Sequence, residues 1–329
     1  MLGVASLASA SSLPGLLPDD VLPSEVSGIL ITEQASGRIL LMNETMDWAD
    51  PAAVRWIWDP ATADGLTAQQ RQWFGNPTEA KPVRGGEQLL ITASGGGLAL
   101  VDFPSGRVAF AAHVGGNPHS AALLPGGGIV VASSNGDRVT LYLPEASNNP
   151  IQTTTLVDAH GLEWDEERHC LWALGGKTMA QYGYDPEADN PELILQQSFD
   201  LPVTPESQQY PRHGGHDLVP IPGEDAYFVT DMDHLWRFDP ETLAFDPLEQ
   251  RHLMPGSNSI SQLGPGGEII VLQETESWWA TGPRTLDDEQ VWHLPDARIY
   301  KARWWPAAVP EPTSAAVLGL GALALTRRR

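Results

Sequence analysis

Three histidines recur at similar intervals, and each stands at the beginning of an apolar segment. They are His119, His160 and His216, three of the nine histidines in the chain. Glu79 holds the corresponding position one interval before His119. Imidazole and carboxylate groups that converge on one point are ligands for Zn²⁺, Mn²⁺ or Fe²⁺. The pattern therefore predicts a divalent metal site or a tight polar-ligand site formed by these four residues. The alternative is a polar, water-filled surface that recurs only because the units repeat.

The elements that position these residues form an internal repeat of about forty residues. Each unit has an apolar strand, a Gly-rich or acidic turn such as Pro125-Gly126-Gly127-Gly128, and a second strand that begins ten residues after the unit starts. A proline turn follows about 25 residues after the first four starts. Four short strands in such a unit are typical of a propeller blade. The sequence therefore predicts an all-β fold, a six-bladed β-propeller over residues 28–305.

The sixth blade is expected to be shared by the two ends of this domain. Segments 28–32, 37–42 and 54–58 supply three strands, and segment 300–305 supplies the missing first strand. Such closure removes the open edges of the sheet. Ser259 and Lys301 occupy the remaining two starts, so all six starts are expected to surround one mouth of the central channel. Ser259 would hydrogen-bond a substrate, and Lys301 would act as a base or as a charge clamp.

Composition excludes one class of partner. The chain has 329 residues, 42% of them hydrophobic, and a formal net charge of −23. Phosphate binding needs clustered Lys and Arg, so we expect no nucleic-acid binding. The sequence contains no Walker loop, no Gly-x-Ser-x-Gly elbow and no His-Glu-x-x-His motif.

The C-terminal segment 309–329 has three parts in a fixed order. Pro310-Glu311-Pro312 precedes an apolar stretch at 315–325, which ends in Arg327-Arg328-Arg329. That stretch is shorter than the roughly 20 residues of a membrane-spanning helix. The segment resembles the PEP-CTERM sorting signal. This resemblance implies recognition by an exosortase, contact with the membrane only through the tail, and export to the cell envelope or beyond. Residues 1–12 are interpreted as the remnant of a signal peptide without its basic region.

The body of the chain resembles a family of bacterial propellers of unknown function. The resemblance lies in Ile31-Thr32-Glu33-Gln34, Gly115-Gly116-Asn117-Pro118-His119-Ser120, Asp158-Ala159-His160-Gly161, Gly215-His216-Asp217-Leu218 and Tyr300-Lys301-Ala302-Arg303-Trp304-Trp305. It implies the propeller fold and no particular activity. The three-histidine centre is also similar, in architecture and site type only, to the metal-binding propellers of oligogalacturonate lyases and virginiamycin B lyases.

Two functional hypotheses follow from these patterns. The first is a metal-assisted lyase or hydrolase that acts on a sugar acid, a lactone or a glycan, with the ion polarising a carboxylate or carbonyl. The second is a non-catalytic protein of the envelope or exopolysaccharide matrix whose propeller binds a glycan or another partner. Bound metal, and activity on uronides and lactones with and without a chelator, distinguish the two.

Overall fold

The structure is a computed structural model that describes residues 17–18, 21–204, 214–248 and 254–305. The predicted signal-peptide remnant at 1–12 and the sorting tail at 309–329 lie outside these ranges. Within them, no helix has the length and apolar character needed to cross a membrane.

The described residues are almost entirely β-structure. The one α-helix among them, α1, is Ala68–Arg71, and short 3₁₀ turns occur at Pro23–Glu25, Pro51–Ala53, Gln72–Phe74, Arg84–Gly86 and Pro125–Gly127. The strands are β1 Gly28–Glu33, β2 Arg38–Met42, β3 Val54–Trp58, β4 Pro77–Val83, β5 Gln88–Ala93, β6 Gly97–Asp102, β7 Val108–His113, β8 Pro118–Leu123, β9 Ile129–Ser133, β10 Arg138–Tyr142, β11 Gln152–Thr155, β12 Gly161–Asp165, β13 Cys170–Leu174, β14 Thr178–Gly183, β15 Ile194–Asp200, β16 Asp217–Pro220, β17 Tyr227–Thr230, β18 Leu235–Asp239, β19 Ala244–Pro247, β20 Ser257–Gln262, β21 Ile269–Gln273, β22 Arg284–Thr285 and β23 Ile299–Trp305.

These strands form six antiparallel sheets, the blades of a closed ring. Blade 1 has the order β23-β1-β2-β3, and blades 2 to 5 are β4–β7, β8–β11, β12–β15 and β16–β19. Their innermost strands contact one another in succession, and β23 closes the circle by contacting both β20 and β4. The predicted six-bladed β-propeller is confirmed.

Blade 6 departs from the four-strand unit that the sequence predicts. Its sheet, β20-β21-β22, has three strands among the described residues. The region after β21 is held by isolated bridges, Ala280 to Ile299 and Arg284 to Val291.

The closure of the ring is the antiparallel pairing of β1 with β23. Gly28 lies opposite Trp305, and Leu30 lies opposite Arg303. Every residue of β23 is buried. The strand at the C-terminal end of the domain is therefore the innermost strand of the first blade.

The long apolar strands are explained by burial on both faces. All five residues of β13, beginning with Cys170, are buried, and so are all five of β9. Six hydrophobic clusters occupy the spaces between adjacent blades. The tight turns between first and second strands use Gly85 and Gly126, whose φ angles of 64° and 72° favour glycine.

Candidate functional site

The three histidines lie side by side at one mouth of the channel. His119 is the second residue of β8, and His160 and His216 directly precede β12 and β16. The ring centroids of His119 and His160 are 4.3 Å apart, and those of His160 and His216 are 4.7 Å apart. All three border a cavity of about 400 Å³.

Blades 2, 6 and 1 contribute Thr78, Asn258 and Tyr300 at the same level as the histidines. Thr78 and Tyr300 line the cavity with the histidines, and Asn258 binds the Trp278 carbonyl at its rim. The six residues are separated by 41, 41, 56, 42 and 42 positions. Sequence reasoning missed these three, because each stands one residue before the position that it selected. Apart from the interval of 56, the spacings agree to within one position, and this regularity is the signal that identifies them.

β-Bulges explain why these side chains reach the channel. In blades 2, 3 and 6 the ladder between the first and second strands shifts register at Thr78, His119 and Asn258. A bulge leaves one residue unpaired and changes the direction of its side chain. The ladder of β23 with β1 also shifts register, near Tyr300.

Hydrogen bonds determine the tautomer of His119. The Asn117 side-chain amide donates to Ser134 and lies 2.7 Å from Nε2 of His119. Nε2 therefore accepts, and Nδ1 carries the proton and donates it to the Tyr300 hydroxyl oxygen at 2.8 Å. The Tyr300 O–H is then free to donate to a ligand.

His160 and His216 are held differently. Nδ1 of His160 lies 2.9 Å from the Asp158 carbonyl oxygen, which can only accept, so Nε2 of His160 is an unprotonated acceptor. Nδ1 of His216 is buried and has no hydrogen-bond partner among the described residues.

The imidazoles are neutral in the folded protein. Burial lowers the pKa of His119 well below its ordinary value, and the adjacent His160 and Lys301 lower it further. Burial, reinforced by His160 and Lys301, lowers the pKa of His216 to about 3. Burial also lowers the pKa of His160, although Asp158 opposes this effect. These groups therefore act as hydrogen-bonding groups rather than as cations.

Glu79 and Lys301 lie one layer deeper, in an ion cluster with Asp217 and Arg303. Nζ of Lys301 is 3.0 Å from Glu79 Oε2 and 3.0 Å from Asp217 Oδ1. Arg303 binds both carboxylates and is 3.0 Å from Glu79 Oε2. All four residues are buried. We call this group the axial ion cluster.

Electrostatics keep both acids of the axial ion cluster ionised. Burial by itself would raise the pKa of Asp217 and of Glu79, but the charges of Arg303 and Lys301 outweigh this effect and lower both pKa values. Two cations thus balance two carboxylates. The Lys301 ammonium, considered above as a base, is engaged by both of them.

Ser259 also lies in this deeper layer. Its hydroxyl accepts a hydrogen bond from the Ala302 backbone N–H at 3.0 Å and lies 3.3 Å from the Ala302 carbonyl oxygen. Its partners are therefore backbone groups of β23, and the side chain helps to attach blade 6 to blade 1.

The four residues predicted as metal ligands are thus divided between two layers. Both ring nitrogens of His119 are engaged, and Glu79 is paired with cations. In the described part of the chain, no group of three or more His, Cys, Asp or Glu side chains is arranged to hold a metal ion. As placed, these side chains fit a hydrogen-bonded organic ligand better than an ion. The divalent-metal expectation stays a prediction.

An aromatic ring stands at the rim of the cavity. Trp278 lines it and is 52% exposed. Its indole N–H donates to Gln34 Oε1 at 3.0 Å, and its carbonyl accepts from Asn258 at 2.8 Å. Glu274 lines the same cavity, and burial raises its pKa to about 7 although a hydrogen bond with Asn258 opposes this.

The ring of six blades with a ligand-sized polar cavity on its axis defines the protein as a six-bladed β-propeller. The chain belongs to a family of unknown function, DUF6528, which matches residues 25–310. No curated protein matches the chain.

Two solved structures are similar in overall fold. The β-propeller domain of Cps50 (Swd1) from Myceliophteria thermophila is 16% identical, with a TM-score of 0.44, and the match covers 67% of this chain and 70% of that one. Hydrazine synthase of Kuenenia stuttgartiensis is 12% identical, with a TM-score of 0.37, and the match covers 60% and 73% of the two chains. Neither likeness extends to function.

Proposed function

We propose that the histidine-lined cavity binds a small, uncharged, hydroxyl-rich ligand, such as the end of a glycan chain. One observation carries the proposal: the cavity presents hydrogen-bonding groups that no other described residue occupies. The Tyr300 O–H is free to donate, and Nε2 of His160 is free to accept. Sugar hydroxyls, which both donate and accept, match this pair.

Charge supports an uncharged ligand. The histidines are neutral, and the Lys301 ammonium beneath them is balanced by two carboxylates. The axial ion cluster therefore gives this mouth no net positive charge with which to attract an anion. A polyanion would also be repelled by the chain as a whole, because its formal net charge is −23.

The shape of the rim supports a ring-shaped ligand. The Trp278 indole N–H donates a hydrogen bond and the backbone carbonyl of the same residue accepts another, although half of the residue's surface is exposed. An exposed aromatic face that is already immobilised loses little conformational entropy when a sugar ring packs on it. In this proposal the protein is the non-catalytic, glycan-binding protein of the second hypothesis.

Titration calorimetry with a panel of neutral sugars and uronic acids tests the proposal. Tyr300→Phe removes only the hydroxyl and should weaken binding of a neutral sugar about tenfold. The matched control is Tyr142→Phe, which alters a buried tyrosine between blades 2 and 3 that does not line the histidine-lined cavity. Binding unchanged in Tyr300→Phe, or no neutral sugar bound by the wild type, would contradict the proposal.

A second candidate, acid–base catalysis on a sugar acid or lactone, is favoured by Glu274. A carboxyl group with a pKa of about 7 in the same cavity as an unprotonated imidazole can transfer protons near neutral pH. Screening of uronides and lactones, with and without chelator, tests it, and elemental analysis tests the metal prediction. Activity that survives in Glu274→Gln would exclude this role.

We also propose that the protein is exported and that an exosortase recognises its C-terminal tail. The support is the order of the Pro-Glu-Pro triplet, the short apolar stretch and the three arginines. Mass spectrometry of protein recovered outside the inner membrane should find a C-terminus near 310–313. An intact Arg329 in that fraction would contradict processing.

A further inference from the structure

The axial ion cluster divides the channel into two separate cavities. The histidine-lined cavity and a second cavity of about 230 Å³ share no lining residue. The second is lined by the far ends of the first strands and by the turns that follow them in blades 2 to 5. It therefore lies at the opposite mouth.

The second cavity has a largely apolar wall. Four prolines and Trp164 line it together with leucine and valine side chains. The prolines are Pro82, Pro125, Pro220 and Pro222. An apolar cavity of about 150 Å³ accommodates a benzene ring, so this one has room for a ring with a short substituent. An indole packs well against an aromatic ring, and proline rings add apolar surface around it.

Charged side chains lie at both ends of the same cavity. Lys81 and Arg303 come from the first strands of blades 2 and 1, and Arg84 lies in the turn after β4. Glu163 and Glu166 are the acids of the lining. Lys81 is paired with Glu163 and Arg303 with the carboxylates of the axial ion cluster, so the charges of this lining nearly cancel, in a chain that has 42 acidic and 19 basic residues.

Lys81 and Arg303 differ in the hydrogen-bonding capacity that they offer to a ligand. Lys81 binds the Leu162 carbonyl oxygen and lies 2.7 Å from Glu163, which accounts for two of its three protons. Nε of Arg303 is buried and has no partner among the described residues, although the other nitrogens of its guanidinium are bound. An N–H that is so fully buried is out of reach of a ligand in the cavity, so the third proton of Lys81, which lines the cavity, is the one that a ligand oxygen can accept.

We propose that this opposite mouth is a second binding site, for a small aromatic carboxylate. Its ring packs within the collar of prolines and Trp164, and its carboxylate lies toward Lys81 and Arg303. The site is distinct from the histidine-lined cavity, and neither proposal depends on the other.

The test uses the full chain and a defined pair of probes, 3-phenylpropionate and the uncharged 3-phenylpropanol, in titration calorimetry. We expect the carboxylate to bind at least tenfold more tightly than the alcohol. Leu123→Trp fills the cavity from a partly exposed position and should reduce binding of the carboxylate at least tenfold. Tyr300→Phe, at the other mouth, should leave this binding unchanged.

Because Lys81→Met leaves Glu163 without its cation, the double variant Lys81→Met, Glu163→Gln is the partner experiment. It should abolish the preference for the carboxylate over the alcohol. Equal affinities of the two probes for the wild type would overturn the anionic class of the ligand. Loss of binding in Tyr300→Phe but not in Leu123→Trp would place the ligand at the histidine mouth. If neither probe binds the wild type at millimolar concentration, the proposal of a second site is wrong.

Discussion

At His119 and His160, the hydrogen bond made by one ring nitrogen determines what the other nitrogen can do. His160 donates from Nδ1 to the Asp158 carbonyl and so presents Nε2 as an acceptor. His119 has both nitrogens occupied and acts through Tyr300, whose hydroxyl it orients. Residues of the same type at equivalent positions in three blades therefore have different chemical roles.

The depressed pKa of His216 predicts a dependence of stability on pH. Its pKa is about 3 in the folded protein against an ordinary value of 6.5. Between these values the unfolded chain binds a proton that the folded chain does not, so this group reduces stability as the pH falls from 6.5. The effect reaches about 1.4 kcal/mol per pH unit. Chemical denaturation from pH 4 to 7 should show a shallower loss of stability on acidification in His216→Gln.

The control for this experiment is His113→Gln, which alters an exposed histidine at the end of β7. It should follow the wild-type curve. Glu274, whose raised pKa acts in the opposite direction, is present in all three proteins. If the unfolding free energies of His216→Gln and the wild type change in parallel with pH, the lowered pKa assigned to His216 is wrong.

The axial ion cluster predicts a large cost for removing one of its cations. Lys301→Met leaves two buried carboxylates with Arg303 alone, and breaking such a buried pair costs about 3–5 kcal/mol. Arg38→Met breaks the surface pair with Asp59, in which Arg38 is 44% exposed, and should cost about 0–1 kcal/mol. If urea denaturation shows equal losses of unfolding free energy in Lys301→Met and Arg38→Met, the axial ion cluster contributes little to stability.

At the scale of elements, β23 connects the site to the closure of the ring. It carries Tyr300 to the histidine mouth, Lys301 and Arg303 to the axial ion cluster, and Trp305 to the core between blades 1 and 2. One strand therefore serves the cavity, the channel and the hydrophobic core.

Truncation before β23 should therefore destabilise the whole domain. A chain that ends at residue 296 loses the innermost strand of blade 1 and leaves β1 as an open edge. We expect its melting temperature to fall by more than ten degrees, or its cooperative transition to disappear. A chain that ends at residue 308 keeps β23 and is the control. Melting of the two chains within a degree or two of each other would argue against closure at this blade.

At the scale of the whole molecule, the large net negative charge of the chain affects the stability of the folded ring. The formal net charge is −23, and the axial ion cluster is balanced internally, so the excess lies outside it. Self-repulsion of a strongly charged surface destabilises the compact state.

Salt should therefore stabilise the propeller. Raising NaCl from about 10 mM to about 150 mM shortens the screening length from roughly 30 to 8 Å and should raise the melting temperature by a few degrees. Choline chloride is the control, because a bulky cation screens without binding specifically. A melting temperature that rises with sodium chloride but not with choline chloride would indicate specific cation binding in place of general screening.

The sequence by itself determined the blade count, the shared first blade and the meeting of the three histidines. The reason is periodicity: equivalent positions of repeated units lie on one circle around the axis, so regular spacing along the chain becomes proximity in space. No knowledge of individual contacts is needed for that step.

The tertiary structure alone decided which residues share the histidine level and which form the axial ion cluster. Bulges at Thr78, His119 and Asn258 separate the two layers by a single residue, a difference that interval counting does not resolve. The pairing of Lys301 with Glu79 joins residues 222 positions apart, on strands that become neighbours only when the ring closes. Repeat spacing brings positions together, but the register of each strand decides which side chains meet there.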